Sequence, residues 1–357
     1  MYALIMAGGL GKRFWPWSRD KNPKQFLNIF SEKSLLEETV ERLESIVKKE
    51  DIYIITNISH KRRIAELIKD VPKENIIAEP IGRDTSACIG LGAIFMKRKN
   101  PKGIQIVLPS DHLISEIETF RDILKKASRL AEEKNCLVTI GIKPTHPNTG
   151  YGYIQYLLEK EEERWDENIY KVKTFAEKPN LETARSFLES GNFLWNSGIF
   201  VWRIETILKE IESSLPELYY GLMEIEKNLN KKNINSVIKR VYSRIKNISI
   251  DYGIMEKAKD VYVIKADFGW SDVGNWSEVY RLGKKDESQN VIMGNVVLRE
   301  SDGNLIYSKK KLLTGIDIHN MIIIDTDDVL LICSKDKAQN VKELVDYIKR
   351  KDMKEFL

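Results

Sequence analysis

The sequence predicts an α/β protein, in which helices cover a mostly parallel sheet and a smaller β-rich domain follows. Three observations support this fold class. The first half of the chain alternates short apolar runs with amphipathic stretches of helical spacing, a pattern typical of parallel strands joined by helices. Beyond about Gly283, short β-rich runs alternate with turn residues. The chain has 357 residues, which is more than one minimal domain needs.

The first part of the chain has the elements of a Rossmann-like sheet. Strands are predicted at residues 2–6, 52–55, 76–78, 104–108 and 137–142, and helices at 34–47, 59–69, 84–97 and 118–133. Ser34 and Glu37 have the spacing of a capping box at the start of the first helix. Because ligands of such sheets bind beyond the carboxyl ends of the strands, functional residues are expected in the loops that follow the strands.

The middle and the end of the chain depart from this alternation. Extended segments at 153–157, 170–175 and 197–202 surround a helix near 181–189 and predict a mixed-sheet lobe laid over the mouth of the first sheet. Residues 205–246 are predicted to be helical, residues 261–265 to be a strand, and residues 291–298, 305–307, 321–325 and 329–333 to be short strands before a helix at 337–350. We therefore predict two domains, residues 1–283 and residues 284–357.

Composition excludes several classes of protein. The net charge is only +4, which does not favour nucleic-acid binding. The three cysteines, Cys88, Cys136 and Cys333, are isolated, which argues against a disulfide framework or a cysteine-based zinc site. The apolar N-terminal run is too short for a signal peptide or a membrane span. A cytoplasmic protein without a membrane partner is expected.

A glycine-rich loop directly after the first strand is the strongest chemical signal. It reads Ala7-Gly8-Gly9-Leu10-Gly11-Lys12-Arg13. Its glycines allow the backbone to approach a ligand closely with N–H groups pointing inward, and Lys12 and Arg13 supply positive charge. The spacing matches neither the dinucleotide-binding nor the Walker A pattern. The combination favours a phosphate site over a plain turn.

Two further residues have weaker signals when each is taken alone. Lys24 follows Pro23 in a loop before a helix, where a solvated surface lysine would be ordinary. Asp111 follows an apolar strand, where an aspartate is more often a turn or cap residue. Neither residue would be assigned a function on local pattern alone.

Taken together, residues 4–18 and Pro23-Lys24-Gln25-Phe26 closely resemble the N-terminal signature of the nucleoside-diphosphate-sugar pyrophosphorylase family, in its mannose-1-phosphate guanylyltransferase branch. The resemblance is strong over about residues 2–280 and loose beyond them. It continues in seven ordered segments: 79–87 (EPIGRDTSA), 108–112 (LPSDH), 149–154 (TGYGYI), 175–179 (FAEKP), 195–200 (WNSGIF), 249–257 (SIDYGIMEK) and 270–276 (WSDVGNW). This resemblance implies transfer of GMP from GTP to mannose 1-phosphate, forming GDP-mannose and pyrophosphate.

The resemblance also implies roles for residues on the nucleotide side. Ala7, Gly8, Gly9 and Gly11 would donate backbone N–H groups to the triphosphate. Arg13 would hold the β- and γ-phosphates, and Lys24 would stabilise charge at the α-phosphate. Asp111 and Asp272 would bind Mg²⁺ together with phosphate oxygens. Glu79, Arg83 and Thr85 would lie around the guanine and ribose.

On the sugar side, the resemblance implies that Lys178 binds the phosphate of mannose 1-phosphate. Glu177 and Asn196 would hydrogen-bond sugar hydroxyls, and Gly150 would allow close backbone approach. By the same resemblance the C-terminal domain is a short left-handed β-helix that packs on a partner subunit, giving a homodimer. Asp84 stands where the family usually has Asn, and Ser86-Ala87 replaces the usual Ala-Pro. The isomerase domain of longer relatives, and its activity, are not expected.

Three alternatives remain at this point. The enzyme could act on another hexose or heptose 1-phosphate, or use another nucleotide. A glycosyltransferase is disfavoured because Ser110-Asp111-His112 lacks the Asp-x-Asp metal motif and because those enzymes lack the glycine loop. A catalytically silent subunit that binds GDP-mannose would keep the fold without the reaction, although all the charged residues that the reaction needs are present.

Overall fold

The structure is a computed structural model that describes residues 1–158 and 165–357. Its strands are β1 (Tyr2–Ala7), β2 (Ile52–Asn57), β3 (Ile76–Glu79), β4 (Ile104–Pro109), β5 (Leu113–Ile114), β6 (Leu137–Ile142), β7 (Gly152–Tyr156), β8 (Ile169–Glu177), β9 (Phe193–Arg203), β10 (Val261–Ala266), β11 (Trp270–Ser271), β12 (Val291–Arg299), β13 (Leu305–Ile316), β14 (Met321–Asp325) and β15 (Leu330–Ser334).

The α-helices are α1 (Leu35–Glu41), α2 (Lys61–Leu67), α3 (Asp84–Lys97), α4 (Ile117–Lys134), α5 (Leu181–Ser190), α6 (Ile204–Ser214), α7 (Pro216–Glu226), α8 (Ile234–Arg244), α9 (Trp276–Leu282) and α10 (Val341–Arg350). No helix in the described part of the chain combines the length and the apolar character needed to cross a membrane.

The chain forms two compact units, each of which gathers segments that are distant in sequence. The first unit comprises Met1–Gly8, Thr39–Ser110 and Ile114–Trp270, and the second comprises Gly9–Glu38, Asp111–Leu113 and Ser271–Leu357. These compact units divide the chain at other positions than the boundary between residues 283 and 284, which stays a prediction about domains.

The first unit is built on a mixed nine-stranded sheet with the order β3-β2-β1-β4-β9-β6-β10-β8-β7. Strands β3, β2, β1 and β4 are mutually parallel, and β6 and β10 are also parallel to each other. Strand β9 runs antiparallel between β4 and β6. Helices α3, α6, α7 and α8 pack in the same apolar core as β1 and β2. The predicted mixed, mostly parallel sheet with covering helices is confirmed.

The predicted separate lobe is wrong, because its strands belong to this same sheet. Strand β9 is eleven residues long and pairs with β7 near its start, with β6 over most of its length and with β4 near its end. It stays continuous with the sheet through a register shift between Thr139 and Gly141 of β6, and Gly198 adopts φ +68°. Local sequence predicts extended backbone but not pairing partners, so the lobe could not be placed correctly.

Several helices are shorter than predicted, and the one cap that was predicted is present. Helix α1 ends at Glu41 instead of continuing to residue 47. The capping box that begins it is confirmed, since the Ser34 N–H donates to Glu37 Oε2 at 2.8 Å and the Glu37 N–H donates to Ser34 Oγ at 3.3 Å. The helical stretch predicted at 205–246 is three helices, and Pro216 begins the second.

The second unit contains a four-stranded sheet in which β12, β13 and β14 are parallel and β15 is antiparallel to β14. Parallel strands joined by short turns form the coils of a β-helix. Two buried asparagines connect successive turns, because Asn304 Nδ2 donates to Asn290 Oδ1 at 3.0 Å and to the Ile318 carbonyl at 2.7 Å. The predicted β-rich C-terminal part is confirmed, and the hand of its coil stays a prediction.

Candidate active site

An open cavity of 430 Å³ in the second unit brings together most of the predicted triphosphate and metal residues. It is lined by Leu10, Gly11, Lys12, Arg13, Lys24, Asp111, His112, Asp272, Gly274 and Lys342. Four of these side chains are cationic and two are carboxylates, as an anionic ligand with a bound cation requires. Among the described residues, no side chain hydrogen-bonds or ion-pairs with Arg13, so its guanidinium is available to a ligand.

Lys24 is the charged residue most firmly fixed in this cavity. Pro23 holds extended backbone and Lys24 begins a short 3₁₀ turn, so the side chain is directed inward and only 5% of it is exposed. Its ammonium lies 2.9 Å from Asp111 Oδ2 and donates to the Asp272 carbonyl at 2.5 Å. It also lies 5.6 Å from the centre of the Phe14 ring. A buried ammonium held by three groups has a fixed position in the cavity.

Asp111 and Asp272 stand on the same cavity as Lys24, which makes them a candidate pair of cation ligands. Asp111 is about one-third exposed. Burial alone raises its pKa, but the Lys24 ammonium and then His112 outweigh burial, so the pKa of the Asp111 carboxyl lies below its ordinary value. It is therefore ionised at neutral pH. Two carboxylates beside phosphate oxygens are the ligands that Mg²⁺ takes in such sites.

The backbone beside Asp272 is strained. Val273 adopts φ +43°, a conformation that β-branched residues rarely take, and its side chain is fully buried. The Val273 N–H donates to Ser271 Oγ at 3.0 Å, which holds this conformation in place. Such strain is common at functional sites. The Asp272 carboxylate lies beside Gly274, where an added Cβ atom would be 3.0 Å from Asp272 Oδ2.

Gly11 is required by the geometry of the loop. Its φ is +63°, and a Cβ atom added there would lie 2.3 Å from the Cβ of Lys24. Both the left-handed backbone and the close approach of Lys24 therefore exclude any side chain at this position. The glycine of the sequence motif is explained by contact with the predicted catalytic lysine.

Replacing Gly11 with Ala should displace Lys24 and reduce turnover by about 100-fold, because misplacement of a positioning group by about 1 Å has effects of that size. The left-handed backbone should also reduce the free energy of unfolding by about 1 to 2 kcal/mol. Gly9→Ala is the matched control for stability, since a Cβ there meets nothing within 4 Å. Equal melting temperatures and equal turnover for Gly11→Ala and wild type would contradict this account.

Glu79, in the first unit, is a buried carboxyl at the end of β3. Tyr242 donates its hydroxyl to Glu79 Oε1 at 3.0 Å, and a Cβ on Gly8 would lie 3.6 Å from Glu79 Oε2. Burial raises the pKa of Glu79 to about 7, the repulsion of Asp84 adds to this, and the Tyr242 hydrogen bond opposes it. The predicted nucleotide residues Gly8 and Glu79 are thus adjacent. Tyr242 was missed, because helix α8 gave no sequence signal for a site.

Glu79 should make stability fall as pH rises. Its pKa is about 7 in the folded protein and 4.5 in the reference state, so the folded state holds the extra proton between these values. The stabilisation is complete below pH 4.5 and is lost as pH rises through 7, by an amount of about 3 kcal/mol. From about pH 5 to about pH 8, the free energy of unfolding of wild type should therefore fall relative to that of Glu79→Gln, which has no carboxyl to titrate at this position. Chemical unfolding of both proteins at the two pH values measures this difference. An equal change in the free energy of unfolding of both proteins would refute the prediction.

Arg83 and Thr85 are held by neighbouring backbone in the first unit. Arg83 Nε donates to the Tyr242 carbonyl at 2.7 Å, near the end of α8. The Ile250 N–H donates to Thr85 Oγ1 at 2.7 Å. Asp84 between them has φ +62°, which Asp and Asn both tolerate, so the departure from the family's Asn keeps the backbone shape. Their predicted place around the base and ribose stays a prediction.

The predicted sugar-side residues also lie in the first unit, where Glu177, Lys178 and Asn196 are connected through a fourth residue, Asp251. Asn196 Nδ2 donates to Asp251 Oδ1 at 2.7 Å, and Asn196 Oδ1 accepts from the Gly198 N–H at 3.1 Å. Burial first, and then the charge of Glu177, raises the pKa of Asp251 to about 6. Lys178 lies 3.6 Å from Glu177 Oε2.

Asp251 was missed as a functional residue, although its segment was among the motifs of the family resemblance. Its half-buried carboxylate accepts a hydrogen bond from the Asn196 amide, which gives Asn196 a defined orientation. Lys178 is different, since its side chain is 63% exposed and its φ is +47°. The Gly150 N–H donates to Asn148 Oδ1 at 2.8 Å, so this glycine shapes a turn and its N–H is already engaged.

A larger cavity in the second unit contains none of the predicted site residues. It measures 660 Å³ and is lined by Trp17, Tyr307 and residues 309–311 and 325–328, among others. Its lysines face aspartates, with Lys310 Nζ at 2.7 Å from Asp327 Oδ1 and Lys311 Nζ at 3.6 Å from Asp325 Oδ1. Cavity size alone is therefore a poor guide to the site. The smaller cavity contains the cationic and carboxylate side chains predicted for the reaction.

The fold, and the 430 Å³ cavity that contains Arg13, Lys24 and Asp111, are those of a protein that binds nucleoside triphosphates. Comparisons with known proteins agree. Residues 2–289 match the model of the nucleotidyl transferase family, and residues 294–348 match a mannose-phosphate isomerase/GMP-like β-helix domain. The chain therefore belongs to the nucleotidyl transferase family, in the branch of the mannose-1-phosphate guanylyltransferases. The family resemblance and the fold class predicted from the sequence are both confirmed.

Individual relatives match over the whole chain. A mannose-1-phosphate guanylyltransferase of Escherichia coli is 40% identical over 99% of this chain and 76% of its own length. One of Salmonella typhimurium is 37% identical over 99% of this chain and 73% of its own length. A crystal structure described as a mannose-1-phosphate geranyltransferase from Thermus thermophilus has a TM-score of 0.88 and 31% identity, covering 98% of this chain and 99% of that one.

Proposed function

We propose that this protein transfers GMP from GTP to mannose 1-phosphate, producing GDP-mannose and pyrophosphate. The observation that carries the proposal is the buried Lys24 ammonium, held between Asp111 and the Asp272 backbone on a cavity that also presents Arg13. The names of relatives at 40% and 37% identity support the choice of GTP and mannose 1-phosphate.

The reaction is attack of a phosphate oxygen of mannose 1-phosphate on the α-phosphorus of GTP, with pyrophosphate leaving in line. Both reactants are anions, so catalysis depends on positioning and on neutralisation of charge. Lys24 stabilises the extra negative charge at the α-phosphate. Arg13 binds the β- and γ-phosphates with its fork of donors and neutralises the departing pyrophosphate. No covalent intermediate with the protein is required.

We propose that Asp111 and Asp272 hold Mg²⁺ in this cavity. Bound there, the ion would neutralise part of the phosphate charge. The ionised Asp111 suits this role, and the Lys24 ammonium 2.9 Å away compensates part of its charge. Within the described residues, no group of three or more histidine, cysteine, aspartate or glutamate side chains is arranged for a metal, so the proposed site rests on these two carboxylates.

The sugar-side residues complete the proposal. Lys178 binds the phosphate of mannose 1-phosphate, because its ammonium is exposed and can exchange its 3.6 Å pair with Glu177 for one with an anion. Glu177 and Asn196 bind sugar hydroxyls, and Asp251 orients Asn196. Glu79, Arg83 and Thr85 surround the base and ribose. A homodimer and a cytoplasmic location are further parts of the proposal; the three cysteines, all free, fit a reducing compartment.

The test is pyrophosphate release by the purified protein with GTP, Mg²⁺ and mannose 1-phosphate. Parallel reactions replace GTP with ATP or UTP, and mannose 1-phosphate with glucose 1-phosphate or a manno-heptose 1-phosphate. Rapid release only with GTP and mannose 1-phosphate, abolished by EDTA, is the expected result. Release with another pair would move the substrate assignment, and tight GDP-mannose binding without any release would favour a silent regulatory subunit.

A further inference from the structure

The C-terminal helix contributes an amine to the cavity that the proposed reaction uses. Lys342 stands in the first turn of α10 and lines the same cavity as Arg13 and Lys24. Its side chain is exposed, and within the described part of the chain it forms no ion pair. Sequence reasoning gave this lysine no role, because α10 lies in the part where the family resemblance is loose.

Helix α10 is firmly attached to the glycine-rich loop. Val341 and Val345 are buried in the same apolar core as Phe14 and Trp15. Asp346, one turn after Lys342 on the same face, pairs with Lys12 Nζ at 2.9 Å. Trp15 Nε1 donates to the Phe356 carbonyl at 2.7 Å, just beyond the helix. These contacts fix the position of Lys342 relative to the loop.

The ion pair between Lys12 and Asp346 reduces the positive charge that Lys12 can offer to a bound anion. Lys12 is neutralised by Asp346, and Lys24 is neutralised in part by Asp111. With Lys24 assigned to the α-phosphate, the cations left for the β- and γ-phosphates are then Arg13 and Lys342. A leaving pyrophosphate carries several negative charges, so one guanidinium leaves much of that charge uncompensated.

We propose that Lys342 binds the β- and γ-phosphates of GTP and the pyrophosphate that leaves, together with Arg13. The β-helix domain thereby supplies a ligand-binding residue to the nucleotidyl transfer site. This inference rests on the proposed function, because it assigns Lys342 to the pyrophosphate half of that reaction.

The test uses the reverse reaction, in which pyrophosphate attacks GDP-mannose to give GTP and mannose 1-phosphate. In Lys342→Gln the KM for pyrophosphate should rise about tenfold, as expected for loss of one charged hydrogen bond. The KM for GDP-mannose should stay within about twofold of wild type. Lys342→Arg should retain the wild-type KM for pyrophosphate.

Lys349→Gln is the matched control, because Lys349 is on the same helix and lines another cavity. The pKa of Asp346 is lowered first by its hydrogen bond from Lys12, and both Lys342 and Lys349 add to this effect. An effect that acts only through Asp346 would therefore appear in both variants. A KM for pyrophosphate that rises in Lys342→Gln and stays unchanged in Lys349→Gln supports direct binding of pyrophosphate by Lys342.

Calorimetric titration of magnesium pyrophosphate into the full chain measures binding without turnover, so it tests the role of Lys342 even if the proposed reaction does not occur. If wild type releases no pyrophosphate with any substrate pair, the proposed function fails, but the dissociation constants of wild type and Lys342→Gln can still be compared. An unchanged dissociation constant and KM in Lys342→Gln would overturn the inference. Equal weakening for pyrophosphate and GDP-mannose, with a lowered melting temperature, would also overturn it, since that result indicates a structural role.

Discussion

Replacement of Lys24 with Gln should lower the turnover number by roughly 1,000-fold, which is the loss seen when one preorganised donor to a transition-state charge is removed. Lys24 is only 5% exposed and is held by Asp111 and by the Asp272 carbonyl, so water cannot easily replace its ammonium. The KM for GTP should change much less than kcat, because Lys24 acts on charge that develops at the α-phosphate.

The same variant should lose stability, since it leaves the Asp111 carboxylate without its partner. Asp111 is about one-third exposed, and solvent screening limits the loss to about 2 kcal/mol. The double variant Lys24→Gln/Asp111→Asn removes both charges and should recover most of this stability while remaining inactive. Recovery of activity together with stability would show that Lys24 has a structural role only. Lys61→Gln, on the exposed end of α2, is a control for charge.

Asp111→Asn should also lower turnover strongly, because an amide is a weak ligand for Mg²⁺ and carries no charge. Asp111 keeps a lowered pKa and so remains a carboxylate across the neutral range. The loss should be about 1,000-fold at saturating substrates, and the Mg²⁺ concentration needed for half-maximal rate should rise. Asp122→Asn, on the exposed surface of α4, is the matched substitution outside the cavity.

Binding measurements on Asp111→Asn separate an enzyme from a silent subunit. An enzyme should lose turnover and retain GDP-mannose binding within about tenfold, because Arg13 and the sugar-side residues remain. Full activity in Asp111→Asn would show that Asp111 is not a ligand of the metal. In that case Asp272 alone would be left as the carboxylate ligand of the cavity.

The glycine-rich loop shows how far sequence could define the site. Gly11 and Arg13 were predicted from their place after β1, because a strand followed by three glycines and a basic pair has a physical meaning. The structure adds the reason for Gly11, which is the Cβ of Lys24 that a side chain would meet at 2.3 Å. That contact joins two separate segments and has no local signal.

Long-range contacts explain what the sequence could not predict. Lys24 and Asp111 meet at 2.9 Å, and Asp272 lies on the same cavity, yet local spacing says nothing about distant partners. Tyr242 and Lys342 were missed for the same reason, since each lies on an amphipathic helix whose pattern is explained by packing alone. The strands β7, β8 and β9 were predicted as extended segments, but their place in one nine-stranded sheet depends on pairing partners.

The most direct test of the central claim follows two labels of GTP through the reaction with mannose 1-phosphate. One sample carries ³²P at the α-phosphate and the other at the γ-phosphate, and products are separated after single-turnover reaction of the wild-type protein. The account predicts the α-label in GDP-mannose and the γ-label in pyrophosphate, with neither product formed by Lys24→Gln on the same timescale. Transfer of the γ-label to the sugar phosphate, or release of the label as inorganic phosphate, would contradict it.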